Sequence, residues 1–134
     1  MRAPILTLLL GVLSAGSLLA TDITPAEAAK HVGEKVTVKG TVVQAVYSPG
    51  LAKVGQIPNP KNRSVYLNFG AKYPDHIFSV AVLAAKTPAL LAGGPAWLTE
   101  LQGKEIAVTG TIELYEGKPE IVLTAKEDIV SPAK

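Results

Sequence analysis

Tyr47, Tyr66 and Tyr115, with Lys53, Lys61, Arg63 and Lys72 near the first two in sequence, are the residues of this chain best suited to hold a ligand. Tyrosine rings on the open face of a sheet give flat platforms on which bases stack, each stack worth about 1–3 kcal/mol. Lysine and arginine side chains beside such rings track a phosphate backbone. The candidate ligand-binding set is therefore Tyr47, Lys53, Lys61, Arg63, Tyr66, Asn68 and Lys72. The competing reading gives the tyrosines to the ends of a small barrel and the lysines to solubility.

Residues for catalysis are scarce. There is no cysteine, no serine in a nucleophile elbow, and no glycine-rich phosphate loop ending in Lys-Ser or Lys-Thr. Asp75 and His76 adjoin each other and His31 lies elsewhere, but a metal site needs three or four ligands in defined geometry. Asp75 suits the turn after Pro74, and His31 suits a helix C-terminus. A barrel nuclease would need clustered carboxylates and arginines around the phosphoryl group. Arg63 is the sole arginine beyond Arg2, and no acid falls between Lys35 and Tyr73. The expectation is a non-enzymatic protein with no cofactor and no metal.

The chain opens with Arg2, an apolar run from Ile5 to Leu13 and small residues from Ser14 to Ser17, the layout of a secretory signal. Cleavage is expected after Ala20, with Gly16 or Ser17 as alternatives because Leu18 is large for the −3 position. The competing reading is an uncleaved anchor, but the run falls short of the ~20 residues a spanning helix needs. No stable membrane span is expected after cleavage. The reading is 1–20 as signal peptide and 21–134 as a single domain, periplasmic or secreted. Without cysteine the domain must rest on packing alone. The net charge of +2 hides an uneven distribution. Residues 35–73 hold six basic side chains and no acid, whereas residues 100–128 hold seven acids against three lysines.

The elements that would position these groups are mostly strands. Thr24, Pro25 and Glu27 form a capping-box start to a short helix that Gly33 stops. From Lys35 to Val46, Val36, Val38, Val42 and Val46 share one parity, as a half-buried strand requires. Gly40 suggests a bulge or a sharp bend. Residues 47–62 form a long Pro/Gly-rich loop. Val65, Leu67 and Phe69 mark the second strand, and Phe78, Val80 and Val82 the third. Parity then places Tyr66 and Asn68 outward, and extension of the first and fourth strands places Tyr47 and Tyr115 there too. Residues 87–101 are apolar but broken at Gly93, Gly94 and Pro95, giving short helical pieces with Trp97, Leu98 and Leu101 inward. The fourth strand opens at Gly103, Tyr115 to Lys118 is a hairpin turn, and Glu120 to Lys126 is the fifth strand. Residues 32–42 and 101–112 echo each other, which makes the first and fourth strands alike.

The expected fold is mainly β: a five-stranded OB-type Greek-key barrel with a short N-terminal helix and a short helical segment between strands 3 and 4. The segments Gly33 to Val42, Val65 to Gly70 with Tyr73 and Pro74, and Gly103 to Leu123 also resemble a family. It is the bacterial exported OB-fold domains related to the tRNA-anticodon-binding type, of the kind also found beside secreted nucleases. The resemblance spans most of residues 24–130. It implies an OB barrel in which, where nucleic acid is bound, the second and third strands and flanking loops carry the contacts. Glu113, Glu116 and Glu120 depart from that pattern, since they would repel phosphate if they lined the same groove. The leading expectation is an exported binding module for single-stranded nucleic acid or another anionic ligand, held weakly. The alternative is a protein-interaction or envelope-stress domain with an envelope protein as partner, docking through the acidic hairpin or residues 88–101.

Overall fold

The computed structural model describes residues 21–50 and 60–131. The expected signal peptide, Lys53 and most of the long loop lie outside them. Among the described residues eight strands form: β1 (Thr21–Ile23), β2 (Lys35–Ser48), β3 (Ser64–Phe69), β4 (Phe78–Leu83), β5 (Glu105–Thr111), β6 (Glu113–Tyr115), β7 (Lys118–Val122) and β8 (Ile129–Val130). The expected five are thus joined by β1 and β8 at the ends, and the expected fourth strand is divided at Ile112 into β5 and β6.

The strands make one mixed, curled sheet in the order β6-β7-β4-β3-β2-β5-β8, with β1 parallel to β2. β4 and β7 pair in parallel, and the other neighbours along that order are antiparallel. Two features curl it into a barrel-like shape. The first half of β2, from Lys35 to Thr41, pairs with β5, whereas Val42 to Ser48 pair with β3. Ile112 alone separates β5 from β6, so strands near opposite ends of the order are held together by the chain itself.

Alternation fills the interior. Val36, Val38, Val42, Val65, Leu67, Phe69, Phe78, Val80, Val82, Ile106, Val108, Ile112, Ile121 and Leu123 are all buried. Each such side chain is worth about 1.5–3 kcal/mol of transfer free energy. Phe69 and Phe78 meet with ring centroids 5.3 Å apart. Val46 does not follow the expected parity and is exposed. The cause is a register shift between Val42 and Gln44 that leaves Val43 as an extra residue against β3. One inserted residue reverses which face every later side chain takes.

Thr24 and Glu27 begin the expected N-terminal helix, with the Thr24 N–H donating to Glu27 Oε1 at 2.9 Å. The element is a 3₁₀ helix over Pro25–His31. The 88–101 segment carries a second 3₁₀ turn (Pro88–Leu91) and the short helix α1 (Ala96–Thr99). Leu90, Leu91 and Leu98 are buried in the core, with Trp97 and Leu101 packed against it. Trp97 Nε1 donates to the Leu90 carbonyl at 2.9 Å, and Lys126 Nζ sits 5.0 Å from the centroid of its ring. The apolar character of this segment therefore goes into the core and not onto an open docking patch. Among the described residues no helix is long and apolar enough to cross a membrane.

Candidate binding groove

The outer face of the sheet carries a polar row that crosses five strands. Gln44 on β2 lies opposite Asn68 on β3, Asn68 opposite Ser79 on β4, Ser79 opposite Glu120 on β7, and Glu120 opposite Glu113 on β6. Beside it runs a second row, Val46, Tyr66, Ala81 and Val122. Directly opposed residues share a face, so register alone puts these side chains together. Of the four buried polar side chains among the described residues, Asn68, Ser79 and Glu120 belong to the first row. Buried polar groups are costly without partners, and a row that supplies them is a deliberate local environment.

These rows floor a groove of about 510 Å³, walled by Tyr73, Pro74 and His76 of the β3–β4 turn and by Tyr115, Glu116 and Lys118 of the β6–β7 hairpin. A volume of this size is ordinary for a small-molecule site. The walls hold each other. Gln44 Oε1 accepts from Asn68 Nδ2 and from the Tyr73 N–H, both at 2.9 Å. The Tyr73 and His76 rings stack with centroids 5.7 Å apart. Lys118 Nζ reaches across and donates to the carbonyls of Pro74 and His76, the latter at 2.7 Å. The His76 Nδ1 atom is buried with no hydrogen-bond partner among the described residues.

Electrostatics favours acceptors over donors. Glu120 is 6 % exposed and accepts a hydrogen bond from Ser79 Oγ at 3.2 Å. Burial pushes its carboxyl above the usual carboxylate range, Ser79 partly offsets this, and Glu113 and Glu116 push it further up. Burial also raises the Tyr66 hydroxyl, helped by Tyr115 and Glu120. Burial lowers His76, as does the nearby Lys118 charge, so the imidazole is neutral near pH 7. Among the described residues the groove's one lysine is directed at backbone carbonyls, while two glutamates face the space. Compared with family models, curated proteins and solved structures, the chain matches none.

The residues expected from sequence are divided by this geometry. Tyr66 and Asn68 lie in the groove, and Tyr115 stands at its edge. Tyr47 does not line it: the bulge at Val43 puts Tyr47 opposite Val65, on the interior-facing parity at the open end of β2. Lys61 and Arg63 lie at the 3₁₀ turn before β3 and line no part of it, and Lys72 is exposed on the turn from which Tyr73, Pro74 and His76 do. Lys53 lies outside the described residues. Sequence reasoning missed Gln44, Tyr73, His76, Ser79 and Lys118, and took Glu120 only as a charge. The signal that could have found Ser79 and Glu120 was their polarity inside otherwise apolar strands. Among the described residues no group of three or more His, Asp or Glu side chains is arranged to hold a metal ion.

Proposed function

We propose that this protein is a non-enzymatic, exported binding module built on an OB-type Greek-key barrel, and that it works through the outer groove. In this reading β2, β3 and β4 are the first three barrel strands, β5 with β6 is the fourth, and β7 is the fifth. The antiparallel β2–β5, β2–β3 and β3–β4 pairs, the β6–β7 hairpin and the parallel β4–β7 pair support that assignment. The helical segment between β4 and β5 agrees with it. OB folds bind oligonucleotides and oligosaccharides on the face of strands 2 and 3, between the loops joining strands 1–2 and 4–5. The single observation that carries the reading is that the groove occupies this face and is walled by the β6–β7 turn. Export is supported by the layout of residues 1–20 alone.

A second reading keeps single-stranded nucleic acid as the ligand. The rings of Tyr66, Tyr73, Tyr115 and His76 share one groove, which favours stacking. Glu116 and Glu120 repel phosphate, so a strand would place only its bases in the groove and run its backbone along Lys61, Arg63 and Lys72. The test is a nuclear magnetic resonance titration of the full chain with three probes: a thymidine oligonucleotide, a chitin trisaccharide and spermidine. The binding-module reading expects at least one of them to shift the amides of Tyr66, Ser79 and Glu116 to Glu120 saturably. If all three leave those amides in place up to about 10 mM, the groove is no ligand site. Oligonucleotide binding that weakens with salt and is lost in Lys61→Glu/Arg63→Glu would favour the second reading.

A further inference from the structure

We infer that the groove is a site for a small organic amine, whose ammonium group is held by the Glu120 carboxylate beside the rings of Tyr66 and Tyr115. The inference rests on the groove being the ligand site and names the chemistry that this site takes.

The first ground is an inventory of hydrogen-bonding groups. Asn68 Nδ2, Ser79 Oγ and Lys118 Nζ all donate to groove-wall partners. Gln44 Oε1 already accepts twice. Glu120 Oε1, by contrast, accepts no hydrogen bond among the described residues, and Ser79 serves only Oε2. Glu120 is 6 % exposed, no cation pairs with it among the described residues, and Oε1 is left open to the groove to take a donor from a ligand.

The second ground is the surrounding charge. Glu113 lies directly across from Glu120 on β6, and Glu116 lines the same groove from the hairpin turn. Like charges set directly opposite each other destabilise a sheet. The other titratable groups facing Glu120's groove are His76, Tyr66, Tyr73 and Tyr115, none of which is cationic near pH 7, and Lys118, which is tied to the β3–β4 turn. A bound cation would relieve the repulsion and satisfy Oε1 at once.

The third ground is the nature of the walls. Ring faces attract an ammonium group through their quadrupole, and Tyr66 and Tyr115 stand in the same groove as the carboxylate. A bare metal ion needs more oxygen ligands than this cluster offers. An amine with an apolar stem uses the carboxylate, the rings and the apolar Val46 together.

The test is titration of the full chain with spermidine at neutral pH and fixed ionic strength, read from the groove amides. The wild type should saturate with a dissociation constant at or below about 1 mM. Glu120→Gln should weaken binding by about tenfold or more, and Tyr115→Ala, at an exposed position that cannot upset the core, by about threefold. Magnesium chloride at the same ionic strength should not reproduce the shifts. Equal spermidine affinity in Glu120→Gln, or equal shifts with magnesium, overturns the inference. Should Glu120→Gln fail to fold, Tyr115→Ala and Glu116→Gln decide: unchanged affinity in both overturns it. Groove shifts from the oligonucleotide or the saccharide with spermidine silent overturn the amine but leave the groove as a ligand site, whereas silence from all three removes both.

Discussion

Glu116 occupies a backbone position that glutamate does not favour. Its φ is +52°, and Gly117 follows at +82°, so both central residues of the Tyr115–Lys118 turn are left-handed. That is the turn whose twist matches a hairpin, and Asn-Gly is its preferred pair. A glutamate there costs about 1 kcal/mol, because its Cβ crowds the following carbonyl. The same residue sets its carboxylate at the mouth of the groove. Glu116→Asn is therefore expected to raise stability by about 1 kcal/mol in urea unfolding while weakening spermidine binding about threefold. Unchanged stability would remove the strain argument, and unchanged affinity would remove Glu116 from the site. The hairpin was legible in the sequence as Tyr115 to Lys118, and so was its acidity. The face that Glu120 takes was not, since it depends on the break at Ile112 and on which strand β7 pairs with, neither of which local pattern reveals.

β2 does the work of curling the sheet. Its fourteen residues exchange one neighbour for another between Thr41 and Val42, one residue beyond Gly40. A Cβ on Gly40 would stand 2.6 Å from Pro25 Cγ and 3.3 Å from Phe69 Cδ2. The glycine thus lets the N-terminal 3₁₀ helix close against the strand, and a proline ring cannot swing aside as a flexible side chain could. Gly40→Ala is expected to destabilise by about 1–3 kcal/mol in urea unfolding. Pro25→Ala in the same chain should recover part of that loss, so that the two changes are not additive. A neutral Gly40→Ala would mean the contact has room to give. The glycine was visible as a point of bending, but the irregularity in register comes at Val43, three residues later. Nothing in the run Val42, Val43, Gln44, Ala45, Val46 marks which residue is the extra one. That single ambiguity is why Tyr47 was placed on the ligand face and Gln44 was not.

The division of the chain into a basic first half and an acidic second half does not become two separate surfaces. The sheet interleaves them: β2 and β3 come from the first, β6 and β7 from the second, and β4 lies between β3 and β7. Lys39 faces Asp22 at 3.0 Å, and the groove keeps the acids of the second half with the tyrosines of the first. The mainly β architecture and the interior valines were legible because alternation is local. The groove was not, because it brings together residues up to 76 apart in sequence, from Gln44 to Glu120. Its acidity also sets how the fold responds to pH. The Glu120 carboxyl lies above its ordinary value of 4.5 in the folded chain, so the native state holds that proton more tightly than the unfolded state does. Its contribution is most favourable below 4.5 and declines as pH rises from there to the raised value. Glu27 acts with the opposite sign, because accepting the Thr24 N–H lowers its carboxyl and its contribution is lost as pH falls. His76, lowered by burial, adds stability as pH rises toward its ordinary 6.5. Comparison of Glu120→Gln with the wild type cancels the last two. Urea unfolding between about pH 4 and 7 should find the two chains closest at the acid end and the variant increasingly ahead as pH rises. Parallel curves would mean that Glu120 is no harder to ionise in the groove than in the unfolded chain. Spermidine should narrow the gap near pH 7 by stabilising the wild type more than the variant, since the folded groove with Glu120 ionised binds it more tightly.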